Sequence, residues 1–149
     1  MKEITLSKQF PNFSKNSIKL ESIFNEYINH EHYSQEFQKD LIEFRNELYA
    51  DISKIFAEMN VVVNSNIDRK NKINILKTIK LNANNLFLFS KIALCSNNID
   101  NNLTMYYYKA FEVGQPIFKL IFLEGLPYIE CMINSKFKRS LKLIEPQEN

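Results

Sequence analysis

The two histidines of the chain, His30 and His32, flank Glu31 and are the residues best suited to metal or acid–base chemistry. Carboxylates surround them at helical spacing, with Glu26 four residues before His30 and Glu36 four residues after His32. A carboxylate and an imidazole at i, i+4 can share a metal ion on one helix face. Zinc hydrolases, however, need two histidines four residues apart with a glutamate directly after the first, and this spacing is absent. The pattern therefore favours surface histidines between two helices, and we expect no metal site.

Other catalytic patterns are weaker. Ser90 and Cys95 are possible nucleophiles, but no histidine lies near them in sequence to act as the base. The chain has only two glycines, no glycine-rich phosphate loop and no Cys-x-x-Cys pair. Cys95 and Cys131 both lie in apolar surroundings, which predicts buried free thiols. The sequence thus favours a protein without catalytic activity and without a cofactor.

Residues 34–60 contain the clearest structural pattern, an apolar residue at every third or fourth position. Its members are Phe37, Leu41, Phe44, Leu48, Ile52, Ile55 and Met59. This is the period of one helix face, so the pattern predicts a helix of about seven turns, with Ser34 as its N-cap. Residues 61–66 are predicted to end it, because three valines followed by Asn and Ser favour extended chain and a turn.

Further helices are predicted over residues 17–29, 68–96, 103–113 and 117–124, with a short one over 127–134. The second long helix, 68–96, is expected to be capped by Asp68 or Asn66. The segment 117–124 is apolar on nearly every side, as in a helix buried at the centre of a bundle. Gly125 is predicted to take the left-handed position that ends this helix. The preferred fold class is all-α, a compact bundle of about five helices with the apolar late helix near its centre.

An α+β fold with a C-terminal three-strand meander over residues 117–144 is the alternative, because periodicity does not separate a buried strand from a buried helix. Either way a single domain is predicted over residues 1–149, with 1–15 and 136–149 as less regular arms. The longest apolar stretch, residues 117–133, contains charges and is too short to span a bilayer. No signal peptide is evident. We expect a cytoplasmic protein, or one in a host cytosol if it is viral or a secreted effector.

Charge is segregated along the chain, although the net charge is only +2. Residues 21–58 contain nine acidic and three basic residues, and the rest of the chain is positive. The acidic residues of the long helix that are candidates for partner binding are Asp40, Glu43, Glu47 and Asp51. Two basic clusters are formed by Arg69, Lys70, Lys72, Lys77 and Lys80, and by Lys136, Lys138, Arg139 and Lys142.

Three consecutive tyrosines, Tyr106, Tyr107 and Tyr108, are the remaining candidate site. Consecutive helical residues point about 100° apart, so the three rings cannot all face one core. Tyrosine is enriched at protein interfaces, so at least one of these rings is a candidate for partner contact.

These features predict a non-catalytic protein that binds another protein, as an inhibitor, adaptor or immunity-type factor. The partner could also be a second copy of the chain, in a homodimer. Sixteen lysines against three arginines indicate an AT-rich bacterial, phage or viral genome. A nucleic-acid-associated protein that uses the basic clusters at 69–80 and 136–142 is the alternative. Nucleic acid is the less favoured partner, because binding domains of that kind are usually clearly basic and contain arginine.

In its size, scarcity of glycine and apolar late helix the chain is similar to virus-encoded Bcl-2-like helical bundles. The Asn-Trp-Gly-Arg groove motif of the cellular members is absent, and the chain has no tryptophan. Bacterial toxin-immunity proteins and phage-encoded inhibitors are similar in size and equally poor in catalytic residues. No motif links the chain to any of these families, so none is assigned.

Overall fold

A computed structural model describes residues 14–29, 34–93 and 124–145 of the chain. Within these ranges it contains four α-helices and no strand: α1 (Ser14–Ile28), α2 (Gln35–Val63), α3 (Arg69–Ala93) and α4 (Leu126–Ile144). The prediction of an all-α fold is confirmed. The helix predicted over 103–113, most of the one over 117–124 and the N-terminal arm to residue 13 lie outside the described residues.

The long helix α2 begins at its predicted N-cap. Ser34 has extended backbone angles, φ −61° and ψ 157°, and its Oγ accepts a hydrogen bond from the Phe37 N–H at 3.1 Å. The apolar face is also as predicted, since Leu41, Phe44, Leu48, Ile52 and Met59 are buried and Phe37 and Ile55 pack against the core. The periodic stripe is thus the face that α2 turns to the rest of the bundle.

The predicted end of α2 at residues 61–66 is wrong by three residues, because the helix continues to Val63. Val62 is only 8% exposed and belongs to the core, whereas its neighbour Val61 is 69% exposed. The burial of Val62 outweighs the small cost in helix propensity of its β-branched side chain.

Side-chain hydrogen bonds stabilise both sides of the turn between α2 and α3. Asp68 caps α3, with its Oδ2 3.4 Å from the Asn71 N–H and its Oδ1 accepting from Asn71 Nδ2 at 2.6 Å. Lys72 Nζ donates to the Val63 carbonyl at 2.9 Å, and Ser65 Oγ donates to the Val62 carbonyl at 2.7 Å. The carbonyls at the C-terminus of one helix and the amides at the N-terminus of the next therefore find local partners. This makes the α2–α3 pair a well-defined helical hairpin.

Helix α4 lies at the centre of the described bundle, because it contacts each of the other three helices and most extensively α3. It buries Leu126, Ile129, Met132, Ile133, Phe137 and Ser140. This single helix corrects three predictions: the short helix over 127–134, the C-terminal strands of the alternative fold, and an irregular arm starting at 136. The positions 129, 133, 137 and 140 repeat at helical spacing, and this repeat is what the packing uses.

Gly125 is right-handed, with φ −81° and ψ −31°, so its predicted left-handed position is wrong. It is the residue directly before α4. Pro127 then falls in the first turn of α4, where its missing N–H leaves no hydrogen bond unmade.

Helix α1 adds Leu20 and Phe24 to the core, both fully buried. It starts three residues before its predicted beginning, and Ile18 near its N-terminus is exposed. The Phe24 ring meets the Tyr49 ring of α2 edge to face, with centroids 5.7 Å apart and planes at 88°. None of the helices described is long and apolar enough to cross a membrane.

Candidate functional site

A line of acidic residues runs along α2 directly beside its buried face. Each acidic residue comes one position before an apolar one; we call Glu36, Asp40, Glu43, Glu47, Asp51 and Glu58 the acidic stripe. Because consecutive residues are 100° apart on a helix, the stripe lies about a quarter turn from the core-facing side. It extends over roughly 33 Å of the helix, and Lys54 interrupts it at the position before Ile55.

The structure places all four acidic candidates on this one stripe. Asp40, Glu43 and Glu47 are exposed, and Asp51 is half-buried. The candidate tyrosines Tyr106, Tyr107 and Tyr108 lie outside the described residues.

The acidic stripe contains like-charge pairs that repel each other along α2. Glu36 and Asp40, and likewise Glu43 and Glu47, are like-charge pairs at i, i+4. Each such pair costs an isolated helix roughly 0.2–0.5 kcal/mol. Lys39, four residues before Glu43, can offset only part of this repulsion. The two like-charge pairs are therefore locally unfavourable, whereas Glu36 in the first turn of α2 is favourable to the helix dipole.

Among the nine candidate basic residues, Lys72, Lys80 and Lys136 contact other helices of the fold. Lys72 holds the end of α2, as described above. Lys80 Nζ lies 4.7 Å from the centroid of the Phe137 ring, which joins α3 to α4. Lys136 Nζ donates to Asn60 Oδ1 of α2 and lies 5.9 Å from the Phe56 ring centroid.

The pKa of Lys136 is lowered, first by its partial burial and second by the nearby charge of Arg139. Two cations are therefore held close together on α4. The other six basic candidates, Arg69, Lys70, Lys77, Lys138, Arg139 and Lys142, are exposed.

Helix α2 also buries a polar pair, Arg45 and Tyr49, which was not among the predicted site residues. Burial raises the pKa of the Tyr49 phenol, the Glu21 carboxylate raises it further, and Arg45 opposes them. The Tyr49 hydroxyl has no hydrogen-bond partner within the described part of the chain. Arg45, Tyr49, Ile52 and Phe56 follow helical spacing, so a search for a second buried stripe on α2 could have found the pair.

The residues predicted for metal and thiol chemistry lie only partly within the described part of the chain. Among the residues described, no three His, Cys, Asp or Glu side chains are grouped to hold a metal ion. His30, His32 and the side chains of Ser90 and Cys95 lie outside the described set. Cys131 is exposed on α4, so the prediction that it is a buried thiol is wrong. Its neighbours Met132 and Ile133 take the buried positions of that turn instead.

No protein-family model matches the chain, and no curated protein or solved structure is significantly similar to it. Its function is therefore argued from its own residues.

Proposed function

We propose that this protein binds another protein without catalysis, as an inhibitor, adaptor or immunity-type factor, and that the acidic stripe of α2 is its main contact surface. The observation that supports this proposal is the exposed run of Asp40, Glu43 and Glu47 along one side of α2, in which Glu43 and Glu47 form a like-charge pair at i, i+4. A cationic partner surface would relieve the repulsion between these carboxylates when it binds.

The stripe has the properties of a preorganised surface. The other side of α2 is fixed in the core by residues such as Leu41 and Leu48, both fully buried. Ser34 caps the N-terminus of α2, and Lys72 donates a hydrogen bond to the Val63 carbonyl at its C-terminus. A rigid row of charges loses little conformational entropy on binding and accelerates the encounter with a partner of opposite charge.

The partner expected from this chemistry presents lysine or arginine side chains along a helix or groove, with apolar contacts between them. Phe37, half-buried beside Glu36 and Asp40, supplies an aromatic group at the N-terminal end of the stripe. A second copy of the chain is a possible partner of the same chemistry, because α3 and the C-terminal half of α4 are basic.

Reversing two charges of the stripe tests this proposal. We expect Asp40→Lys/Glu43→Lys to reduce capture of partner proteins from a lysate of the source cells at least tenfold, because each reversed charge opposes a cationic surface. The measurement is affinity capture with quantitative mass spectrometry, at low and high salt.

The matched control is Glu26→Lys/Glu145→Lys, which makes the same charge change at two exposed positions outside the stripe. The control should capture the same proteins as the unmodified chain. Equal capture by all three proteins would contradict the proposal. Light scattering of the same samples identifies a second copy as the partner if only the stripe variant is monomeric.

A further inference from the structure

Helix α3 carries basic residues and no acidic ones, and five of its six basic residues lie within residues 69–80. Its 25 residues include six lysine or arginine residues and no aspartate or glutamate, whereas α2 has six acidic and three basic residues. The low net charge of the chain therefore conceals two helices of opposite sign. The low net charge of the whole chain does not exclude the binding of a polyanion on the α3 side.

The structure joins the two basic clusters, which are more than 50 residues apart in sequence. Lys80 of α3 lies over the Phe137 ring of α4, so the two segments touch at this point. Lys77 lies one turn before Lys80, and Lys138 directly follows Phe137. We define the exposed Arg69, Lys70, Lys77, Lys138, Arg139 and Lys142 as the α3–α4 basic surface.

The side chains between these cations decide which kind of polyanion fits. On α3, Asn74, Thr78 and Asn82 are exposed, and residues 69–84 include no aromatic side chain. Protein-binding surfaces depend on buried aromatic or arginine anchors. Phosphate groups are contacted by lysine, arginine, asparagine and threonine. Four of the six cations are lysines, and the two arginines, Arg69 and Arg139, are exposed and not buried as anchors. This composition therefore favours a phosphate backbone over an acidic protein.

Along α3, Lys70 and Lys77 are two turns apart, on the same side of the helix and separated by roughly 10 Å. This is the distance that a few successive phosphates cover, since duplex DNA advances about 3.4 Å per nucleotide of each strand. Lys138 and Lys142 of α4 are one turn apart, roughly 6 Å along the helix axis, and lie on the same side of that helix. Lysines read charge and not bases, because they do not offer the two-pronged geometry of arginine.

We propose that the α3–α4 basic surface binds the phosphate backbone of nucleic acid without sequence preference. This is a second activity on a surface separate from the acidic stripe, and it does not depend on the function proposed above. Together the two surfaces would let one chain contact a protein and a nucleic acid at once.

The test uses the full chain and fluorescein-labelled random single-stranded RNA, single-stranded DNA and duplex DNA of about 20 nucleotides, longer than one binding site. Binding is followed by fluorescence anisotropy between about 50 and about 200 mM salt. The test variant is K70Q/K77Q/K138Q/K142Q. We expect at least tenfold weaker binding than that of the unmodified chain at the lower salt. The dependence of log affinity on log salt should fall by about one unit for each lysine that contacts a phosphate.

The control K15Q/K19Q/K39Q/K54Q removes four exposed lysines from α1 and α2, so it has the same net charge as the test variant. It should bind as the unmodified chain does, and circular dichroism should show both variants folded. The proposal is overturned if the unmodified chain binds no nucleic acid at the lower salt, or if the control loses as much affinity as the test variant. It is also overturned if polyglutamate of equal length competes as well as nucleic acid, since the surface would then fit an acidic protein.

Discussion

Leu76→Ala is expected to lower the free energy of unfolding by about 2–5 kcal/mol, whereas Leu81→Ala on the same helix should change it by less than about 0.5 kcal/mol. Leu76 is fully buried, and Leu81 is 60% exposed. Truncation at residue 76 removes apolar contacts and leaves a cavity, while truncation at residue 81 removes surface that water already covers. Urea denaturation followed by circular dichroism measures both changes.

The comparison of Leu76→Ala with Leu81→Ala tests which face of α3 packs against the other helices. Both variants delete the same atoms from the same helix, so differences in side-chain chemistry cancel. Equal losses at both positions would show that α3 packs on a different face from the one described. A large loss of stability for Leu81→Ala alone would show that Leu81 packs against residues outside the four described helices.

Alkaline pH should destabilise the fold through Tyr49. Burial and the Glu21 carboxylate raise the pKa of the folded phenol above its usual value of about 10. The folded chain therefore keeps its proton where the unfolded chain releases it. The stabilising contribution is complete below about pH 10 and is lost as pH rises toward the folded pKa, by up to about 1.4 kcal/mol per pH unit.

Tyr49→Phe should remove this loss. It keeps the ring that meets Phe24 and deletes only the buried hydroxyl, which has no hydrogen-bond partner in the described residues. We expect a change of less than about 1 kcal/mol at pH 7, because no buried hydrogen bond is broken. Above pH 10 the variant should become progressively more stable than the unmodified chain.

The measurement is urea denaturation at several pH values between neutral and strongly alkaline. Tyr128→Phe is the matched control, because it removes the same group from the half-buried Tyr128 on α4. That variant should follow the pH dependence of the unmodified chain. Identical alkaline curves for Tyr49→Phe and the unmodified chain would show that Tyr49 ionises as easily in the folded state as in the unfolded one.

Local features of the fold were predictable from the sequence. The Ser34 and Asp68 caps and the apolar face of α2 depend on neighbours within one helical turn or on strict periodicity. The continuation of α2 through Val62 was not predictable in this way, since the core that buries Val62 is assembled from several helices. The same holds for α4, where the residues after Pro127 have both strand and helix propensity and tertiary packing decides between them.

The candidate site was predictable in part. The sequence shows which helix is acidic, and helical geometry then places the carboxylates on one stripe. The meeting of the two basic clusters depends on the contact between Lys80 and Phe137, which no local pattern indicates. The sequence also does not show that Lys72, Lys80 and Lys136 make contacts within the fold. Exposed and packed lysines cannot be distinguished before their neighbours in the fold are known.

The central claim is that Asp40 and Glu43 of the acidic stripe serve a partner and are not needed by the fold. It is tested most directly by the free energy of unfolding of Asp40→Asn/Glu43→Gln in low salt. The account predicts a value equal to that of the unmodified chain, or higher by up to about 1 kcal/mol, because like-charge repulsion along α2 is relieved. A loss of more than about 1 kcal/mol would contradict it, since the carboxylates would then be holding the bundle together.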